Sequence, residues 1–360
     1  MLTVCYFGGY RPDYPRNLFY RRLLRQSGVE VIECRVSPRS PTLMKAAQLF
    51  FKFWTGPHRA QVLLVPEFNH TLVPVAWVLA RLRGMTLVFD PGLSYYADQI
   101  LSLRWFAPHS LRARYLRWME WLAYRLPQLV IWFTPVDEER FGELFGIPRE
   151  RSSWLPPGIN TDLFSPTPLP KRGSQLVIHW DGNMSPTHGV DVILRAAHRL
   201  AGDPTFRFEF VGGVLPEIKA LAEDLQLPNV TFLGVVSPEE LRASVQRAHI
   251  CLGVFRRDEK LERSLYTKEA QAMMAGRPLV TAFGEVKARL FKQGEDLLMI
   301  PPEDPQALAE AIRTLDGNFL MCEKLAANGA ATFAALYAPE VTGEKLLHLL
   351  ESVHAAQHRR

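Results

Sequence analysis

Short apolar runs alternate along the chain with longer stretches in which apolar residues return at helical spacing. In the first half the runs are LTVCYF, VEVIECRV, QVLLVP (Gln61–Pro66), MTLVFD (Met85–Asp90) and QLVIWFT (Gln128–Thr134). Residues 17–27 read as a helix that Gly28 stops. Apolar runs separated by helices predict a parallel sheet covered on both faces. SPTPLPKRGS (Ser165–Ser174) breaks the alternation with prolines, a glycine and adjacent basic residues, and reads as a linker. QLVIHW, FRFEFVG, VTFLGVV, HICLGVF and RPLVTAF then restart the strands, with VDVILRAAHRL an amphipathic helix between the first two. The expected organisation is α/β: a Rossmann-like α/β/α domain over 1–165, a second over 166–338, and a helix over 339–360 packing back toward the first. Two such domains would face each other across a cleft, since open α/β sheets bind ligands at the carboxyl ends of their strands.

Composition narrows the class. The 360 residues are 48% apolar and 22% charged, as in a folded soluble protein. No apolar run reaches the roughly 20 residues of a membrane-spanning helix. MLTVCYFGGYRP makes a poor signal peptide and a good first strand and turn. Four cysteines without a C-x-x-C pair suit buried thiols in the cytoplasm. No His or Cys cluster has metal-ligand spacing, so neither a metal nor another cofactor is expected. A net charge of +5 fits an anionic ligand or an anionic membrane surface. The basic residues form no single stripe and no nucleic-acid motif occurs, so nucleic acid is not an expected partner.

Five stretches in register carry a resemblance. They are WLPPGINTDLFSP, DGNMSPTHGVDVILRAAHRL, NVTFLGVVSPEEL, KEAQAMMAGRPLVT and QGEDLLMIPPEDPQALAEAI. Together, from about residue 154 to 312, they resemble the GT-B glycosyltransferases of the family called glycosyl transferases group 1. The resemblance implies transfer of a sugar from a nucleotide-diphosphate donor, itself a substrate, to an acceptor hydroxyl on a glycan or lipid-linked molecule. The reaction would be metal-independent and retaining. The C-terminal domain would hold the donor, through Gly182, Gly212 and Val235 among others, and the N-terminal domain the acceptor.

The chain departs from the family's pattern at charged positions. Where relatives carry an Arg and a Lys ahead of the first helix of the second domain, this sequence has Asn183 and His188. Gly189 still begins that helix, leaving its first N–H groups open to an anion. Where relatives carry two Glu residues, this chain has Arg263 and Gln271. Arg263 and Lys268 keep the site positive, as a diphosphate leaving group requires. In this reading they serve catalysis as well as donor binding, with Arg263 at the diphosphate and Gln271 bonding ribose hydroxyls. Residues two apart on a helix lie about 200° apart, so Glu269 should leave the face shared by Lys268 and Gln271 and enter a solvent or structural salt bridge. The alternative, a catalytically inactive GT-B module that binds a sugar nucleotide or glycan, rests on the same missing residues.

In the first domain Gly8 and Gly9 have two readings, an ordinary turn or a close approach to donor phosphates. In the second of these, Arg11 or Arg16 would overhang the cleft. Asp90 ends a strand, either as catalytic carboxylate near the acceptor or as cap of the Pro91-Gly92 turn. Glu67, His70, Ser94 and Tyr95 are candidates for the acceptor side. LMKAAQLFFKFW (Leu43–Trp54) and LRWFAPHSLRARYLRWMEWLAYRL (Leu103–Leu126) mix basic and aromatic residues, as helices at a membrane surface do. This points to a cytoplasmic protein, peripheral at the inner face of the membrane. Against it, Trp118, Trp121 and Leu122 have core spacing, which predicts an ordinary helix with its aromatic face inside.

Overall fold

The computed structural model describes residues 2–56, 59–158 and 163–358, with Lys260 as backbone only. The chain divides into two compact units, Met1–Ile159 with Pro339–Arg360, and Asn160–Ala338. Residues 159–162 of the junction stretch lie outside the described residues.

In the first unit β1 (Thr3–Gly9), β2 (Glu30–Val36), β3 (Val62–Val65), β4 (Thr86–Phe89), β5 (Leu129–Trp132) and β6 (Ser152–Trp154) form one parallel sheet in the order β2-β1-β3-β4-β5-β6. Helices α1 (Pro15–Gln26), α2 (Thr42–Thr55), α3 (Val73–Arg83), α4 (Leu111–Arg125) and α5 (Pro135–Phe145) connect the strands. β1, β3, β4 and β5 are buried along their whole length, which is why they read as unbroken apolar runs. The polar edge strand β6 pairs only with β5 and carries no such signal. α5 shows how the sequence sets its start. Thr134 accepts from the Asp137 N–H at 3.0 Å, and Pro135 occupies the first helical position, where an N–H would have no partner.

In the second unit β7 (Leu176–Asp181), β8 (Phe206–Val211), β9 (Val230–Gly234), β10 (Ile250–Leu252), β11 (Leu279–Ala282) and β12 (Leu298–Ile300) form a parallel sheet in the order β12-β11-β10-β7-β8-β9. Its helices are α6 (Val190–Leu200), α7 (Pro216–Asp224), α8 (Pro238–Arg247), α9 (Glu259–Glu262), α10 (Thr267–Met274), α11 (Glu285–Leu290), α12 (Pro305–Asp316) and α13 (Phe319–Tyr337). The last helix, α14 (Pro339–His358), returns to the first unit, where Leu346 and Leu350 join Val4, Tyr20 and Leu24 in the core.

Each sheet reverses its strand order once. In the first unit the reversal lies between β1 and β3, in the second between β7 and β10. The carboxyl ends of those strands are where a doubly wound sheet offers a ligand site. Among the described residues no helix is long and apolar enough to cross a membrane.

Candidate functional site

The second unit's site begins where β7 ends. The chain leaves the sheet at Gly182, passes through a single turn at Pro186–His188 and enters α6 at Gly189. Gly182 and Gly212, at the ends of neighbouring strands, meet backbone to backbone. A Cβ on Gly212 would lie 1.9 Å from the Gly182 carbonyl oxygen, and both residues have φ near +130° (133° and 131°). Gly212 is therefore required for packing at this corner, whatever it binds. Val235, on the loop after β9, is 84% exposed.

Lys268 reaches this corner from the first turn of α10. Its ammonium lies 4.5 Å from the centre of the Trp180 ring and 5.9 Å from that of Tyr266, and 2.9 Å from where a Gly182 Cβ would stand. Burial lowers its pKa, against the pull of Asp181 and Glu269. Among the described residues it makes no hydrogen bond, so the aromatic faces are its main neighbours. One turn along α10, the Gln271 side-chain oxygen is buried with no hydrogen-bond partner. A buried amide oxygen left without a partner is uncommon in a folded protein.

Glu269, between them in sequence, is fully buried and points elsewhere. It accepts from the Tyr266 N–H at 2.8 Å, from the Thr281 hydroxyl and from Lys287 Nζ at 3.0 Å. It closes the start of α10 and ties the helix to β11 and α11, so its ion pair is structural and turned from solvent. His188 Nδ1 donates to the Asn183 carbonyl at 2.8 Å, which leaves Nε2 as the acceptor nitrogen. Burial and the Lys268 charge lower its pKa, so the imidazole is neutral near pH 7. Asn183 is exposed, and Arg263, in the turn after α9, is buried.

In the first unit Asn69 holds the strand ends together. Its side chain accepts from the Gly9 N–H at 2.8 Å and donates to the Pro66 and Glu67 carbonyls. A Cβ at Gly8 would press on it at 3.0 Å. Beside it Arg16 does not overhang any opening, as the sequence had suggested. It is buried, bonded to Asp90 at 2.7 Å and to the Leu155 and Pro156 carbonyls, with its guanidinium over Tyr20 and Phe133. This pairing compensates two buried charges. Asp90 is correspondingly closed to solvent. Glu67 lies in the same cluster, buried, with neither carboxyl oxygen hydrogen-bonded. Burial and the Asp90 charge push its pKa up to about 8. Burial raises Asp90 as well, against the opposing pull of Arg16. Arg11 is exposed and paired with Asp13.

His70 and Ser94 do not line a surface either. His70 is a core residue, 3.1 Å from the Tyr124 hydroxyl, and burial lowers its pKa to about 3. Ser94 donates to buried Glu120 at 2.7 Å and accepts from Ala97 N–H. The Tyr95 N–H also donates to Glu120, and its half-buried ring packs on His70. These residues lie beside a strand end, yet their side chains turn inward to satisfy one another, which one sequence cannot reveal. Trp180, Tyr266, Asn69 and Glu120 were missed. Trp180 and Tyr266 look like ordinary core and turn residues in sequence, and only the fold brings Lys268 onto them.

Residues 175–318 match the family model of Glycosyl transferases group 1. Over most of the second unit the chain is thus similar to that family. The chain is 29% identical over 203 residues to a D-inositol 3-phosphate glycosyltransferase of Acidothermus cellulolyticus, a match covering 51% of this chain and 44% of the relative. The chain thus spans about half the length of the curated relatives it matches. Among solved structures it is similar to Anabaena HepE in complex with UDP, with a TM-score of 0.71, 18% identity, and 98% of this chain and all of that one covered. Sucrose-phosphate synthase from Thermosynechococcus elongatus gives a TM-score of 0.68 at 18% identity, covering 99% and 100% of the two chains. The fold is accordingly GT-B, two Rossmann-like α/β/α units.

Proposed function

We propose that this chain transfers a sugar from a nucleotide-diphosphate sugar to an acceptor hydroxyl on a glycan or lipid-linked molecule. The second unit would bind the donor and the first the acceptor. The observation that carries this reading is Lys268, an ammonium without a carboxylate partner, seated at the end of β7 beside the start of α6. Negative charge grows on the diphosphate as the sugar–oxygen bond breaks. A preplaced cation and the first N–H groups of α6 stabilise that charge, so these protein groups take the part a metal would otherwise play. Gln271 supports the donor through its unpartnered oxygen, an acceptor for ribose hydroxyls. Arg263 is assigned to the diphosphate on the family's spacing, and its burial means that this role requires side-chain movement. The reading keeps retention of configuration. It is supported by Glu269 and Asp90, both fully buried in ion pairs and so not offered as free bases.

A thermal-shift screen against UDP-, GDP-, ADP- and CDP-sugars tests the donor site. A donor at 100 times its Kd adds about 2.7 kcal/mol of stability, and Lys268→Met should remove the shift. If no donor stabilises the protein, or the variant responds as the parent does, the site is misassigned. A second reading, an inactive module that binds a sugar nucleotide or glycan, is favoured by one observation: His188 and Asn183 add no charge beside Lys268. Stabilisation by a donor without release of nucleoside diphosphate over an acceptor panel would establish that alternative.

The first unit is further proposed to lie against an anionic membrane. Leu43, Phe51, Trp54, Trp105 and Trp118 are exposed among basic residues on α2, on α4 and ahead of α4. Trp118 and Trp121 are 59% and 40% exposed, so core spacing misjudged them. α4 buries Ala113, Leu116, Met119, Glu120 and Ala123 instead.

A further inference from the structure

On the outer face of α4 lies a groove of about 470 Å3, lined by Arg114, Arg117, Trp118, Trp121 and Arg125, with Leu144–Gly146 closing one side. At about 100° per residue, positions 114, 117, 118, 121 and 125 fall within roughly 60° of one line along the helix. The three arginines and two tryptophans therefore form one stripe. Arg125 stacks on Trp121, its guanidinium 4.9 Å from the ring centre. Among the described residues no carboxylate pairs with Arg114, Arg117 or Arg125. Two other exposed arginines of this unit do find acids, Arg11 with Asp13 and Arg25 with Glu33. A further cation, Arg151, donates to the Arg125 carbonyl, and burial, with the charge of Arg125 adding to it, lowers its pKa. Like charges gathered on one stripe repel one another, and an anion in the groove relieves that repulsion.

The surroundings indicate which anion. Leu111 and Tyr115 on α4, and Trp105 and Phe106 just before it, are exposed next to the stripe. A soluble anion needs no such apolar margin, whereas a lipid headgroup presents its phosphate directly above acyl chains. Guanidinium groups match phosphate oxygens through paired N–H donors, and tryptophan settles at the interface between headgroup and chain. We propose that the α4 groove is a clamp for the headgroup phosphate of an anionic membrane lipid. This rests on the membrane reading of the first unit and is independent of the donor site.

The test is sedimentation of the full chain with vesicles of neutral phospholipid, alone or mixed with phosphatidylglycerol. The triple variant R114Q/R117Q/R125Q is compared with R39Q/R195Q/R242Q, which removes equal charge from exposed positions elsewhere. Near an anionic bilayer each basic residue contributes about 1 kcal/mol, about fivefold in binding, so the groove variant should lose roughly a hundredfold. The control should lose only a few-fold, and both variants should keep the parent's melting temperature and its shift with nucleotide sugar. Equal losses in the two variants would mean diffuse attraction and would overturn the clamp while leaving membrane binding intact. A parent that ignores vesicles would overturn both. Stabilisation by inorganic phosphate without vesicle binding, or binding of RNA in place of vesicles, would also overturn the lipid assignment. A lost nucleotide-sugar shift in the parent would count against the transferase reading alone.

Discussion

Replacing Lys287 with Met should destabilise the second unit severely, because it strands a buried charge. Lys287 Nζ stands 3.0 Å from Glu269 and 3.1 Å from the Thr281 hydroxyl, and neither charged side chain is more than 1% exposed. Met fills much of the same space but leaves the Glu269 carboxylate with only the Tyr266 N–H and the Thr281 hydroxyl. Breaking a buried pair by removing one partner costs about 3–5 kcal/mol. For a unit of this size, 1 kcal/mol moves Tm by about 2–4 °C, so a drop of about 6–20 °C is expected. The double variant Glu269→Gln/Lys287→Met should recover most of the loss. The amide can still accept from Tyr266, donate to Thr281 and carry no charge. Scanning calorimetry of the full chain gives the melting temperatures. A single variant within 1 kcal/mol of the parent, or a double variant no more stable than the single, would show that this carboxylate is not held as an ion and would refute the reasoning.

Two further outcomes follow from the strand ends. Glu67→Gln should flatten the pH dependence of stability. The folded pKa of about 8 lies above an unfolded value near 4.3, so its contribution is full below about pH 4.3 and is lost as pH rises toward 8. Urea midpoints at pH 5, 6.5 and 8.5 should therefore fall less in the variant than in the parent, and an unchanged slope would count against a protonated Glu67. Glu120, also near 8 through burial, has the same sign and keeps some slope in both. Gly212→Ala should cost about 2–5 kcal/mol, since its Cβ meets backbone and its φ is unfavourable for L residues. Val235→Ala on the neighbouring exposed loop should stay within about 0.5 kcal/mol in the same denaturation assay.

The strands were legible because a parallel sheet covered on both faces demands uninterrupted apolar residues, and QVLLVP and MTLVFD are short runs of that kind. The runs overshoot the strands at their ends. HICLGVF yields only Ile250–Leu252, and its glycine, Gly253, passes so close to Thr281 and Glu269 that a Cβ would collide with them. Helical geometry separated Glu269 from Lys268 and Gln271, since the angle between neighbours on a helix is fixed by the backbone. It could not say which stripe of α4 faces inward. Trp118 and Trp121 have core spacing, but so do Leu116, Met119 and Ala123, and the choice is made by the elements α4 packs against. Nor could it show that Arg16 and His70 satisfy buried partners, because Asp90 and Tyr124 are more than 50 positions away in the chain.

The return of α14 to the first unit has a consequence for how the protein is made. Residues 160–338 are contiguous, and all their strands have left the ribosome before α14 is synthesised. The first unit waits, because Val4, Tyr20 and Leu24 pack against Leu346 and Leu350 at the far end of the chain. Until then, the apolar flank that those two leucines cover stays open to water, and to any other nascent chain nearby. The half of the molecule translated first is thus the half completed last.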